Sequence, residues 1–283
     1  MDDRESNHSM TLEIWGIDFS SAPSARKPIV VARGVLAGAV LRLQRLDLLP
    51  KLSDFETLLA TPGPWLGAFD FPFGLPRAFV QAQGLGDTAQ AVSRALQARC
   101  PTRMAFRALV DTWGNTQPAG QRLLHRLTDR AMLGLSSTSP LQTRYVPVGF
   151  MYYEGFSRLL AAGVNVPALH AGDAARTALE GYPGLLAHEL IGRRSYKNDD
   201  SSERLLARKD ILEALEQGRT RLKLRLKLTP AQAGALVADS SGDRLDAVLC
   251  MAQAAWASLQ PRWGQPKQVD PVEGWITTAP APS

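Results

Sequence analysis

Four short segments each set a carboxylate against an apolar run: GIDFSSA at 16–22, AFDFPFGLP at 68–76, LEGYPG at 179–184 and GDRLDAVL at 242–249. Asp18 closes a run containing Ile14, Trp15 and Ile17, and Asp70 closes one containing Trp65, Leu66 and Phe69. Glu180 follows Ala178 and Leu179, while Asp243 and Asp246 open an apolar helix pattern. A carboxylate at the end of a buried strand costs free energy unless it is paired, hydrogen-bonded or bound to a metal. Several of them converging point to a divalent-cation site.

The pattern along the chain is that of an α/β protein. Residues 12–19 alternate and read as a strand ending at Asp18. Segments 29–37 and 40–48 read as two more strands joined by a tight turn at Gly38–Ala39, giving a three-strand antiparallel opening. A short helix starts near Ser53, with Glu56 three residues on as a capping box. Residues 65–70 form a buried strand stopped by Pro72 and Pro76. Helical stretches at 88–98, 121–132 and 150–162 lie in an insertion covering about 77–163. Strand character returns at 176–182, and Pro183 opens a helix at 183–191. Helices at 203–217, 230–237 and 243–259 follow, with 273–276 as a short strand. The expected organisation is an extension at 1–10, one domain at 11–277 and a tail at 278–283.

Hydrophobic residues make up 45% and charged residues 21% of the 283, ordinary values for a globular chain. No window holds the ~18 uninterrupted apolar residues of a membrane-crossing helix, so no membrane partner is expected. The polar, acidic start lacks the features of a signal peptide, and two distant cysteines, Cys100 and Cys250, fit a reduced, cytoplasmic chain. The four histidines show no zinc spacing. The net charge of +5 is compatible with a polyanionic partner.

Asp243 and Asp246 are three apart and share one helix face. Asp243 also suits a helix cap beside Ser240 and Ser241. Asp18 could simply begin a turn, but Ser20 and Ser21 behind it are small hydroxyl residues that let a phosphate approach the backbone. Asp70, between two phenylalanines, needs a partner that solvent does not supply.

Taken in order, GIDFS, DFPFGLP, EGYPG, SYK at 195–197, GDRLDA and EGWI at 273–276 resemble the predicted RNase H-like nucleases of "domain of unknown function" family 429. The matching pieces span residues 12–276. Gly181 departs from the pattern, which has an apolar residue there more commonly. The resemblance implies an RNase H-like fold: a five-stranded mixed sheet, helices on both faces and acids gathered at one edge. It implies a metal-dependent phosphodiester hydrolase acting on DNA or RNA. Asp18 would bridge two Mg²⁺ or Mn²⁺ ions, with Asp70 and Glu180 on one side and Asp246, helped by Asp243, on the other. Hard oxygen ligands favour these ions over zinc.

Lys197 in SYK is the first candidate for contacting phosphate, and Arg126 and Arg130 in the insertion could line the substrate cleft. RTRLKLRLKL at 219–228 alternates, setting Arg219, Arg221, Lys223, Arg225 and Lys227 on one side if extended. This fits either a phosphate-spaced row or an edge strand guarded by charge. Two other readings stay open. One is a phosphotransferase or ATPase of the related actin-like fold, with 18–21 as a phosphate loop. The other is a nucleic-acid-binding protein without catalysis.

Overall fold

The computed structural model describes residues 11–131, 134–135 and 137–281. The expected extension at 1–10 and the last two residues of the expected tail fall outside them. Within them the chain is α/β, with one mixed seven-stranded sheet and nine α-helices. It opens with strands β1 (Glu13–Asp18), β2 (Ile29–Ala37) and β3 (Val40–Leu49), helix α1 (Leu52–Leu59) and strand β4 (Trp65–Phe69). Helices α2 (Arg77–Ala82), α3 (Ala89–Arg99), α4 (Arg103–Asn115) and α5 (Val148–Ala161) make up the insertion. Strands β5 (Val164–Asn165) and β6 (Asp173–Glu180) then precede α6 (Pro183–Ile191) and α7 (Ser202–Glu216). Strand β7 (Arg225–Lys227) and helices α8 (Pro230–Ala238) and α9 (Asp243–Ser258) complete the order.

The strand order is β5-β6-β4-β1-β2-β3-β7. β2 runs antiparallel to both its neighbours, and the other pairings are parallel. Five strands were expected; the two extra ones are β5 and β7, at the two edges. They are two and three residues long. Segments that short carry little pattern of their own and are held by their neighbours.

Alternation along β1 and β4 sends side chains to two separate cores. Trp15, Ile17, Trp65 and Phe69 enter the core shared with α1 and the insertion helices. Ile14, Leu66 and Ala68 enter the core built with α6, α7 and α9. Trp15 and Trp65, on adjacent strands, stack with ring centroids 4.3 Å apart. On the opposite face Gly16 lets α9 settle on the sheet. A Cβ built there would fall 2.0 Å from the Ala247 carbonyl oxygen and 2.1 Å from the Met251 nitrogen.

Several local expectations differ from the structure. The segment 121–132 was expected to be a helix, but it is an irregular loop with one 3₁₀ turn, Thr128–Arg130; Met132 lies outside the described residues. The Thr128 hydroxyl accepts the Ile276 N–H and the Asp129 carboxylate accepts the Arg126 N–H, so side chains replace the helical ladder. The start of α1 is closed by Asp54, which accepts the Lys51 N–H at 3.0 Å, and not by Ser53 with Glu56. Helices α2 and α4 were not expected. In the expected tail, Thr278 and Ala279 are buried.

Candidate metal centre

Asp18 and Asp70 stand side by side because β1 and β4 are parallel and in register. Ile17 is paired with Phe69, and the Asp70 N–H donates to the Ile17 carbonyl oxygen at 2.9 Å. Each acid lies one residue past an inward aromatic or aliphatic side chain, so both fall on the face covered by α9. This is the carboxyl end of the parallel strands, where open α/β sheets place their sites.

Helix α9 brings the third carboxylate. Its close contact at Gly16 sets the first turn over the strand ends, and Asp246 is wholly buried there. One oxygen atom from each of Asp18, Asp70 and Asp246 lies within 4.8 Å of the others. The Tyr196 hydroxyl donates to Asp246 Oδ1 at 2.6 Å, and the Lys197 ammonium sits against Asp246 Oδ2. Asp243 is the first residue of α9 and not its cap. Gly242 occupies the capping position at φ 80°, and Ser241 and Asp239 accept the N–H groups of Asp243 and Arg244. Among the described residues the carboxylates of Asp18, Asp70 and Asp243 accept no hydrogen bond.

The electrostatics reflect this crowding. Burial, with the charges of Asp243 and Asp70, holds the Asp18 carboxyl well above the usual range, and Lys197 and Lys27 oppose the shift. Burial pushes Asp70 to about 6, with Glu180 and Asp243 adding to the rise and Lys197 working against it. Burial also raises the Cys250 thiol, and the charges of Asp70 and Asp18 add to the rise.

Glu180 is placed differently. It is paired with Phe69 across β4 and β6, and Phe69 faces the insertion side. Glu180 therefore leaves its strand on the side opposite to Asp18 and Asp70, although it lines the same cavity as Asp70. There it meets Arg126, whose guanidinium donates to Glu180 Oε1 at 2.5 Å and to Oε2 at 2.8 Å. Oε2 also accepts the Phe73 N–H at 2.9 Å. The same guanidinium holds Asp129 at 2.8 Å, and Ser137 donates to Asp129 at 2.6 Å. Arg126 is 2% exposed. The resemblance makes Glu180 a metal ligand, and the sequence reading sets Arg126 at the cleft; the structure joins them in a buried ion pair that ties the insertion loop to the sheet end, with both lining the cavity beside Asp70. Burial works against the ionised Asp129, and Arg126 outweighs it, leaving its carboxyl below the usual range.

The remaining candidates divide. Lys197 lies in the centre. Ser20 accepts the Ala22 N–H at 3.4 Å, and Ser21 is buried, its carbonyl oxygen accepting from Arg103 at 3.3 Å. Arg130 is exposed at the end of the 3₁₀ turn. The basic segment is extended only at 225–227, and Leu222, Leu224 and Leu226 point into the core. β7 pairs with Val40–Arg42 of β3, and that register aligns it with the Glu13 end of β1. It therefore lies at the far end of the sheet from Asp18. Arg219 and Arg221 pair with Glu213 and Glu189.

A cavity of about 200 Å³ opens beside the acids, lined among others by Asp70, Lys197, Tyr182, Val148 and Met151. Neither Tyr196 nor Tyr182 is given a role by the sequence, although both fall in the matching motifs SYK and EGYPG. Tyr196 directly precedes Lys197, and that adjacency was the available signal. No family model, curated protein or solved structure matches the chain.

The donor set fits a hard divalent cation. Every ligand is a carboxylate oxygen, and an octahedral ion with ligands at 2.0–2.1 Å spans about 4.2 Å between opposite oxygens. The 4.8 Å limit on the triad is close to that span. Burial and the neighbouring acids raise the Asp18 and Asp70 carboxyls, and a cation held among them would oppose that shift.

Proposed function

We propose that this chain is a divalent-metal-dependent phosphodiester hydrolase of the RNase H-like kind, acting on nucleic acid. The observation that carries the reading is the meeting of Asp18, Asp70 and Asp246 at one end of the sheet. The five long strands, with helices on both faces, fit the fold that the motif order implies. Asp18, Asp70 and Asp246 would hold Mg²⁺ or Mn²⁺, with Asp243 within electrostatic reach of Asp18. A bound ion of this kind lowers the pKa of an attacking water and offsets charge on the leaving oxygen.

The chain's own groups supply the rest. Tyr196 fixes one oxygen of Asp246 and so its orientation. Lys197 offers positive charge at the rim of the cavity. Tyr182, in the same wall, offers a flat face on which a base can stack. The ends of two strands and the first turn of a helix hold the acids, so their geometry is set before substrate arrives.

The test is cleavage of end-labelled single- and double-stranded DNA and RNA with Mg²⁺, Mn²⁺ or chelator. Cleavage that needs metal and is lost in Asp18→Asn supports the reading. Full cleavage by Asp18→Asn, or no metal-dependent turnover of any of these substrates, overturns it.

A further inference from the structure

We propose that the centre takes a single divalent ion, and that the Lys197 ammonium fills the place a second ion would need. The inference rests on reading the acids as a metal centre. It departs from the two-ion arrangement that the motif order implies.

The argument is an inventory of carboxylate oxygens. A two-ion centre needs one bridging acid and further acids on either side. On one side Glu180 is spent: both its oxygens accept from Arg126, and one also accepts from the Phe73 N–H. The guanidinium fork is the strong geometry for a carboxylate, and it is buried here. On the other side Asp246 has one oxygen on the Tyr196 hydroxyl and the other against the Lys197 ammonium. Among the described residues Asp18 and Asp70 keep carboxylates with no hydrogen-bond donor, enough to anchor one ion; Asp246 joins it only by sharing an oxygen with Tyr196 or Lys197.

The position of Lys197 is built, not incidental. The Lys197 carbonyl oxygen accepts from Arg204, and the Tyr196 carbonyl oxygen accepts from the buried Arg208 guanidinium at 2.9 Å. The Lys197 side chain lies against Gly242, where a Cβ would fall 2.8 Å from its Cγ. Gly242, at φ 80°, is thus both the start of α9 and the clearance through which the lysine reaches the acids. The ammonium faces the acids from within the cavity wall. There it supplies a second positive charge towards a phosphate without a second metal.

The experiment is Mn²⁺ titration of the full chain, with free ion counted by electron paramagnetic resonance. One ion per wild-type chain is expected, with an uncoupled spectrum. Lys197→Met and Lys197→Gln should each load two ions. Their spectra should show coupling, since ions sharing carboxylates sit about 3.5–4 Å apart. Lys197→Arg should keep the count at one. Two ions on the wild type overturn the inference and leave the metal-centre reading standing. A single ion on both neutral variants also overturns it. No tight ion on the wild type removes both. If the neutral variants fail to fold, the wild-type count and the Lys197→Arg count decide.

Discussion

Asp70 and Ile17 are joined by a backbone hydrogen bond of 2.9 Å, and this bond fixes the spacing of the two strand-end acids. Because the link is main chain to main chain, the side chains of Asp18 and Asp70 are free to change without unseating the strands. Asp18→Asn should therefore fold. Its thermal midpoint in chelator should equal or exceed that of the wild type, since one charge leaves a crowded cluster. Its Mn²⁺ affinity should fall by more than about 100-fold, beyond the 10–100-fold typical of residues that only support ligands. A melt and a metal titration on the same samples check both parts.

The pH dependence of the metal-free protein should carry the mark of Asp70. Its carboxyl is pushed from 3.8 to about 6 in the fold, so the folded state holds the proton more tightly than the unfolded chain. The stability this confers is complete below about pH 4 and is lost as pH rises through about 6. Asp70→Asn should flatten that part of the stability curve, and saturating Mg²⁺ should oppose the loss. Urea melts at half-unit pH steps, with and without metal, would show it. A wild-type minus Asp70→Asn difference that does not change between pH 4 and 7 would refute the claim.

Arg126→Met should be among the most damaging single changes. It leaves Glu180 and Asp129 buried without their partner, a loss of about 3–5 kcal/mol by analogy with other broken buried ion pairs. Arg126→Met combined with Glu180→Gln should recover part of that loss. Strict additivity in the double-mutant cycle would contradict the coupling seen in the geometry.

Gly16→Ala tests how α9 is seated. The added carbon would meet backbone atoms of Ala247 and Met251, which no rotamer change can relieve. Overpacking of this kind costs about 1–3 kcal/mol and occasionally more. The variant should lose stability and weaken Mn²⁺ binding together, because Asp246 rides on the displaced helix. Loss of stability with unchanged metal affinity would separate the two.

Arg225→Gln with Lys227→Gln should leave cleavage and its salt dependence unchanged. Each phosphate contact removed would flatten the log–log salt slope by roughly 0.7 to 0.9. β7 lies at the far end of the sheet from the acids, so no such change is expected.

The parts of this molecule that were legible in sequence are those set by local pattern. Asp18 and Asp70 could be placed together because each ends a strand-like run, and two parallel strands end on the same side. Asp246 could be added because helix periodicity puts it one turn into α9. Glu180 could not be assigned its face, because that depends on how β6 registers against β4, a relationship between segments more than a hundred residues apart. The segment 121–132 misled because its apolar spacing is helical, while its polar side chains are committed to Glu180 and Ile276. Helix α4 was missed despite a readable start, Thr102, whose hydroxyl accepts the Ala105 N–H. Behind it Phe106, Val110 and Trp113 recur at helical intervals and are buried.

The opposed aim of Glu180 and Asp70 has a consequence for how this protein can vary. Neighbouring strands deliver acids to the same end of the sheet and to one cavity, yet one peptide step of offset gives them different partners. Asp70 stands with Asp18 and Asp246. Glu180 is committed to Arg126 and so fastens a long excursion of the chain. Deleting a single residue from β6 would exchange the destinations of Leu179 and Glu180, stranding Arg126 and adding a fourth acid to the triad. Because Val148 and Met151 of the insertion line the cavity beside Asp70 and Lys197, a change in the insertion's lining would reach the acids even while Arg126, Asp129 and Glu180 persist.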